Sequence, residues 1–194
     1  MPPGFDVKRF NRWAATYDRS VMQKWYFGPV HSRMLNLVEK EKRAESLHDI
    51  IDVGCGTGRL LRAASRRWPQ AHLFGVDPAE RMISEAERLS PNVTFRVGAA
   101  ELLPFPDQAT DLIVSSLSFH HWHDQPKGLQ EISRVLRPGG LLCLADLTMR
   151  LANMYHDQVK SRTRVQELIH SVGLKVMRHQ RLWSRFVLIT LAQK

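Results

Sequence analysis

Three glycines at alternate positions, Gly54, Gly56 and Gly58, follow directly on a short apolar run, Ile50-Ile51-Asp52-Val53. They lead straight into a helical pattern of Leu60, Leu61, Ala64 and Trp68. Strand, glycine turn and helix in that order open a nucleotide-binding βα unit. Without a Cβ the turn can take positive φ, and a ligand can lie against the backbone. The first amides of the following helix then face that ligand. The next apolar run, His72 to Val76, ends at Asp77, about 20 residues past the glycines, where a carboxylate can take both ribose hydroxyls. Dinucleotide binders show G-x-G-x-x-G. The spacing here is G-x-G-x-G with Asp52 just before it, which disfavours a nicotinamide dehydrogenase.

The rest of the chain alternates strand and helix patterns. Helices are expected over residues 6–18, with Phe10, Trp13, Ala14 and Tyr17 on one face, and over roughly 20–44, where Pro29 interrupts or restarts the helix. Strands are expected at 49–53, 72–76, 93–97, 111–115 and 141–145, with helices at about 58–67, 79–89 and 126–136 between them. Leu136-Arg137-Pro138-Gly139-Gly140 reads as a turn before the fifth strand. A helix over 162–172, stopped by Gly173, and two further strands over 174–183 and 185–192 complete the pattern. Alternation of this kind predicts an α/β fold with a mainly parallel sheet.

Several stretches resemble the motifs of the class I S-adenosylmethionine (SAM)-dependent methyltransferases. Asp52-Val53-Gly54-Cys55-Gly56-Thr57-Gly58 resembles their first motif, and Gly75-Val76-Asp77-Pro78-Ala79-Glu80-Arg81-Met82-Ile83 their second. Gly98-Ala99-Ala100-Glu101-Leu102-Leu103-Pro104-Phe105-Pro106-Asp107 resembles the stretch over the adenine ring, with Ala99 where the family usually has Asp. That departure removes a carboxylate that would accept from the adenine amino group. Ser116 to Asp124, with its His120-His121 pair, resembles the fourth motif, and "LRPGG" before an apolar strand is a further feature of the superfamily. Ala14-Ala15-Thr16-Tyr17-Asp18 resembles the N-terminal "A-x-x-Y-D" of small-molecule members, nearest to the ubiquinone/menaquinone-biosynthesis and type 11 groups.

The resemblance implies a Rossmann-like, doubly wound, seven-stranded sheet with an antiparallel last strand. It divides the chain into N-terminal helices, 1–48, that act as a lid on the substrate side, and a SAM-binding part, 49–194, of the same domain. It implies SAM as cofactor and S-adenosylhomocysteine as product. Gly54, Cys55, Gly56 and Gly58 would take the amino-acid part of the cofactor with Asp52 nearby. Asp77 and Pro78 would take the ribose. Met82 and Leu102 would sandwich adenine, framed by Ala99, Ala100 and Glu101, with Ser116 and Tyr17 completing the site. A methyl on a sulfonium needs little beyond alignment and exclusion of water. A base assists an oxygen or carbon acceptor, and His120 and His121 are the candidates, ahead of His123.

Composition bounds the alternatives. No run of about 18 apolar residues occurs, so no spanning helix is expected. The first six residues lack a signal-peptide pattern, and Cys55 and Cys143 read as reduced, buried thiols, so the expectation is cytoplasmic. No Cys/His cluster has metal-ligand spacing. The formal charge is +9, and from Leu147 to Lys194 nine Lys/Arg face two acids. Such an excess admits nucleic acid or an anionic membrane as partner. Scattered between apolar positions, it reads rather as a solvated face. The expected acceptor is therefore a small molecule, attacked through O, N or C by a monomer or homodimer. The alternatives are methylation of nucleic acid or a lipid headgroup, and a non-catalytic SAM-binding partner protein.

Overall fold

In the computed structural model the described residues are 5–20, 23–42, 46–148, 161–182 and 186–194. Strand β1 (Asp49–Val53) is the centre of the sheet, and its near-continuous apolar sequence is buried along four of five positions. It pairs in parallel with β2 (His72–Asp77) on one side and β4 (Thr110–Ser116) on the other. With β3 (Thr94–Val97), β5 (Leu136–Leu147), β6 (Lys175–Leu182) and β7 (Val187–Gln193) the order is β3-β2-β1-β4-β5-β7-β6. Strand β7 runs opposite to the other six, antiparallel to both β5 and β6. This is the doubly wound seven-stranded sheet expected from the sequence. The strand order reverses between β1 and β4, the place where open α/β sheets bind ligands beyond the strands' carboxyl ends.

Helices α2 (Gly28–Glu41), α3 (Arg59–Arg67) and α4 (Glu80–Leu89) pack on one face of the sheet, where Met34, Leu61 and Ile83 meet Ile50, Leu112 and Val114. Helices α5 (Gln125–Val135) and α6 (Arg162–Ser171) cover the other, where Leu129, Ile132 and Ile169 meet Ile51, Ile113 and Leu144. Alternate residues of each central strand thus feed opposite cores, as a doubly covered strand requires. Helix α1 (Phe5–Tyr17) belongs to neither layer. It lies across α4, where Ala14 packs on Met82 and Ala79. The second helical segment is split as Pro29 suggested. A π-helical turn, Gln23–Phe27, precedes α2, and the proline sits in the first turn of α2. Both cysteines are free and buried. Among the described residues no helix is long and apolar enough to cross a membrane.

One expected boundary is corrected. The Leu136–Gly140 stretch is not a turn outside the sheet but a bulge inside β5. Leu136 pairs with Thr110 and Leu141 with Leu112, so the residues between them loop out. The chain end secures the loop: Gly139 N donates to Lys194 O, and Lys194 N to Gly140 O, both at 3.0 Å. The links between β6 and β7 (183–185) and between α2 and β1 (43–45) lie outside the described residues.

Arg137, in the same bulge, holds the amino ends of two strands together. Its guanidinium reaches Asp49 at 2.8 Å and Asp111 at 2.9 Å, and Asp111 also accepts from the His48 and Asp49 amides. Partial burial raises the Asp111 carboxyl, but Arg137 and the two amides outweigh it and hold the group below its ordinary range. A carboxyl depressed on folding contributes stability above its unfolded pKa, and loses it as pH falls through the folded value. Arg137→Met is therefore expected to cost about 1 kcal/mol at neutral pH, given partial exposure. The gap to the unaltered protein should close below about pH 4, and a series of thermal melts against pH reads it directly. A gap that stays constant down to acid pH would show that packing, not charge, is the contribution of Arg137.

Candidate functional site

The glycine turn follows β1 with all three glycines at positive φ: 75° at Gly54, 52° at Gly56 and 76° at Gly58. Each residue has a different reason to lack a side chain. A Cβ on Gly54 would stand 2.3 Å from Ser118 Oγ, and one on Gly58 would stand 2.7 Å from the Phe95 ring. A Cβ on Gly56 would meet only Tyr17, at 3.9 Å. Gly54 and Gly58 are thus required by the protein's own packing, while Gly56 keeps an open face toward α1. The Gly54 and Cys55 amides both donate to Val76 O, which ties the turn to β2. Burial raises the Cys55 thiol well above its ordinary value, with Asp77 and Asp52 adding to the shift. It is a packed group rather than a reactive one.

Asp77 ends β2 beside the turn, and Asp52 stands one residue before the end of β1. Asp77 Oδ2 accepts from Gly56 N and Oδ1 from Ala79 N, both at 2.9 Å. Burial still raises its carboxyl above the usual range against those two bonds. Each oxygen retains a second lone pair for a diol. Asp52 is 2% exposed, and its Oδ1 has no hydrogen-bond partner. Burial pushes its carboxyl well up, and the nearby charge of Asp77 pushes it further. The buried Ser116 Oγ at the end of β4 is likewise without a partner. Buried polar atoms left without partners are rare and point to a missing polar ligand.

The stretch after β3 supplies the apolar part of this rim. Val97 is 52% and Leu102 77% exposed, while Ala100 is buried and Ala99 exposed. Pro78 is exposed at the β2 end. Met82 is not at the open rim. It is buried under α1, against Ala14 and Ala79. Glu101 is engaged within the protein, its Oε1 accepting from Asp124 N at 2.9 Å.

Helix α1 is fastened at two points. Asn11 Oδ1 accepts from Arg81 N at the start of α4, at 2.9 Å. Asp18, just past the end of α1, accepts from Thr57 Oγ1 with one oxygen and from the Arg62 guanidinium with the other. Arg62 also donates to Thr57 O at 2.6 Å. The last residue of the "A-x-x-Y-D" stretch therefore joins α1 to the glycine turn and to α3.

Under α1 lies a cavity of about 480 Å³. Phe10, Trp13, Thr16 and Tyr17 line it from α1, Ser20, Tyr26 and Phe27 from the segment that follows, and Leu117, His120, His121 and Leu147 from the ends of β4 and β5. Leu117 holds a left-handed backbone at φ 55°, an uncommon state for a non-glycine residue and one that clusters at functional sites. The 3-10 turn Phe119–His121 follows it. Both histidines singled out in the sequence reach the cavity, and His123 is exposed outside it. His120 Nδ1 lies 2.5 Å from Asp146 Oδ1, and both residues are buried. The His121 ring lies 3.9 Å from the His120 ring and 5.2 Å from that of Phe10.

Asp146, Asp18 and Tyr26 escaped the sequence reading. The signal for Asp146 was present, because a carboxylate at the carboxyl end of the strand beside β4 falls where such sheets bind ligands.

Residues 51–144 match the family described as a methyltransferase domain. The malonyl-[acyl-carrier protein] O-methyltransferase of Hahella chejuensis is 34% identical over 196 residues, covering 93% of this chain and 67% of that protein. The ubiquinone/menaquinone biosynthesis C-methyltransferase UbiE of Campylobacter jejuni is 28% identical over 161 residues, covering 74% of this chain and 64% of that protein. Other curated relatives are matched over 58% and 46% of their length, so the chain spans about half of them. Among solved structures, the putative methyltransferase of Haloferax volcanii in complex with the Trm112 methyltransferase activator superposes with a TM-score of 0.79 at 21% identity. That match covers 95% of this chain and 96% of the other. At that identity the likeness concerns the fold alone.

Proposed function

This chain belongs to the class I S-adenosylmethionine-dependent methyltransferases, in the type 11 group, and on that premise we propose that it methylates a small molecule held in the aromatic cavity under α1. The observation that carries the reading is the placement of that cavity. It opens at the carboxyl ends of β4 and β5, its α1 wall passes over Gly56, and α1 is tied to the glycine turn through Asp18. When bound, the cofactor supplies a methyl on a sulfonium centre that leaves readily to a nucleophile.

The roles of the chain's own residues follow from their chemistry. Gly54 to Gly58 and Asp52 hold the amino-acid part, with the unpartnered Asp52 Oδ1 as acceptor for its ammonium. Asp77 takes the ribose hydroxyls, and the exposed Val97 and Leu102 give a flat ring apolar cover. Helix α1 shields the acceptor from water, and the His120-His121 pair lies where an acceptor's proton would be removed. Basic residues of α6 and β6, which a nucleic acid or lipid headgroup could engage, lie at one edge of the sheet. Strand β7 separates that edge of the sheet from β5 and Asp146.

Calorimetric titration with SAM, S-adenosylhomocysteine and NAD tests the reading. Both adenosyl compounds are expected to bind, and NAD is not. The heat should also depend on the buffer. Asp52 has a raised pKa in the free protein, and an ammonium beside it favours the carboxylate, so binding releases protons. Affinity accordingly rises with pH until Asp52 is ionised in the free site. A folded protein that binds neither adenosyl compound would defeat the assignment. Binding heats identical across buffers, together with an affinity that does not weaken as pH falls to the range where Asp52 is protonated in the free site, would remove Asp52 from the ammonium site.

A further inference from the structure

From Val7 to Phe27 the chain carries five Lys/Arg against one acid, Asp18, and that acid is taken up by Thr57 and Arg62. Helix α1 sorts its residues by face. Val7, Phe10, Ala14 and Tyr17 turn inward onto Ala79 and Met82. Lys8, Arg12, Ala15 and Thr16 recur at helical spacing on the outward face, and Arg19 follows the helix end, all of them exposed. Three exposed arginines elsewhere meet carboxylates: Arg88 with Glu85, Arg164 with Glu167 and Arg178 with Glu41. Among the described residues Lys8, Arg12 and Arg19 have no such partner. The adjoining α4 nearly balances its own charge, with Arg81 and Arg88 against Glu80, Glu85 and Glu87, so the field over α1 is positive.

Two large aromatic side chains stand among these cations. Trp25 is 73% exposed and Trp13 47%. Tyr26 and Phe27, next to Trp25, line the same cavity as Trp13, so both tryptophans belong to one rim. Exposed indoles set among Lys and Arg match the water–lipid boundary, where the ring sits at headgroup level and the cations meet anionic lipid. A second copy of the chain would set these cations against their like in a two-fold contact. A nucleic acid would offer phosphates, but its bases need open ring faces, and the Arg9 guanidinium already lies 5.1 Å from the Trp13 ring centre.

We propose that the outward face of α1, together with Trp25, docks the protein on an anionic lipid surface. Lys8, Arg12 and Arg19 meet the headgroup phosphates and carboxylates, and the exposed parts of the two indoles enter the headgroup layer. Each cation contributes about fivefold in affinity, so the three together give roughly 100-fold. Such attraction falls steeply as salt rises. Attachment is therefore reversible and needs neither a spanning helix nor a lipid anchor. It depends neither on the cofactor nor on what the cavity holds.

Flotation of the full chain with lipid vesicles is the test. At about 0.1 M salt the protein should float with phosphatidylcholine vesicles holding about one third phosphatidylserine, and not with phosphatidylcholine alone. Lys8→Gln/Arg12→Gln/Arg19→Gln should weaken that binding roughly 100-fold. Removing the same charge at exposed positions elsewhere, by Arg162→Gln/Lys175→Gln/Arg181→Gln, should weaken it less than about threefold. Brominated phosphatidylserine should quench the tryptophan fluorescence, and less so in Trp25→Phe. No flotation with the anionic vesicles, equal flotation with the neutral ones, equal loss in the two triple variants, or quenching undiminished in Trp25→Phe would each overturn the proposal. So would an RNA oligonucleotide that binds more tightly than the vesicles through the same three cations, or self-association that the α1 variant abolishes, since either names another occupant. Circular dichroism of the variants excludes loss of fold as the cause. SAM binding is expected unchanged in all of them, so a negative vesicle result with SAM bound removes this proposal and leaves the methyltransferase reading standing.

Discussion

Gly54→Ala is expected to destabilise the protein by about 2–5 kcal/mol, as the sum of two separable costs. A φ of 75° places an alanine in the left-handed region, at roughly 1–2 kcal/mol. The new Cβ would also stand 2.3 Å from Ser118 Oγ and 2.4 Å from Ser118 Cβ. Ser118 cannot give way freely. Its hydroxyl donates to Val53 O at 3.0 Å, lies 2.8 Å from Ser115 Oγ and accepts from the Trp122 indole at 3.3 Å. Displacing it disturbs the start of the turn that carries His120, an overpacking cost of about 1–3 kcal/mol. The thermal midpoint should fall by more than about 4 °C for a chain of this size. Adding Ser118→Gly should recover the overpacking share and leave the backbone share. Gly56→Ala is the control, with a positive φ but no close neighbour, and should cost only about 1 kcal/mol. Equal losses at Gly54 and Gly56 would show that contact with Ser118 is not what demands glycine.

Asp52→Asn should have the opposite effect on stability and a large effect on binding. The Asp52 carboxyl is buried, raised and incompletely hydrogen-bonded. An acid whose folded pKa lies above its unfolded value favours folding fully only below the unfolded pKa, near 4, and loses that contribution as pH rises through the folded value. At neutral pH the free protein therefore carries a cost that the neutral amide avoids. The variant is expected to be more stable than the unaltered protein at neutral pH, read as a higher melting temperature. The gain should shrink toward acid pH. The same change removes the charge proposed for the cofactor's ammonium, so affinity for SAM and S-adenosylhomocysteine should fall at least about tenfold. A destabilised Asp52→Asn variant would mean that the carboxylate is satisfied by the protein rather than kept for a ligand.

The parts of this architecture legible in the sequence are those specified by neighbouring residues. The apolar run of β1, the glycine turn and the arrest of α6 before Gly173, at φ 81°, are local, and they stand where the pattern put them. What was not legible depends on residues far apart in the chain. Nothing near Pro138 announces that Lys194 will hold the following glycines as a bulge within β5. Nothing near His120 announces Asp146, which reaches it only because β5 lies beside β4. Glu101, expected near the adenine, also accepts from the Asp124 amide, a bond fixed by where the β4 loop returns. Met82 has the apolar character asked of it, but its burial follows from the docking of α1, which composition does not specify.

The Asp18 clamp separates two kinds of variation. The floor of the site, from the glycine turn to Asp77, comes from the parallel strands, while most of the cavity's roof comes from residues 10–27. Aromatic side chains in the roof can be exchanged without touching the floor, so directed evolution of acceptor choice should concentrate there. The joint between the two is Asp18 with Thr57 and Arg62. A roof transplanted from another protein would have to bring a carboxylate at that position, or it would lie over a floor to which it is not attached.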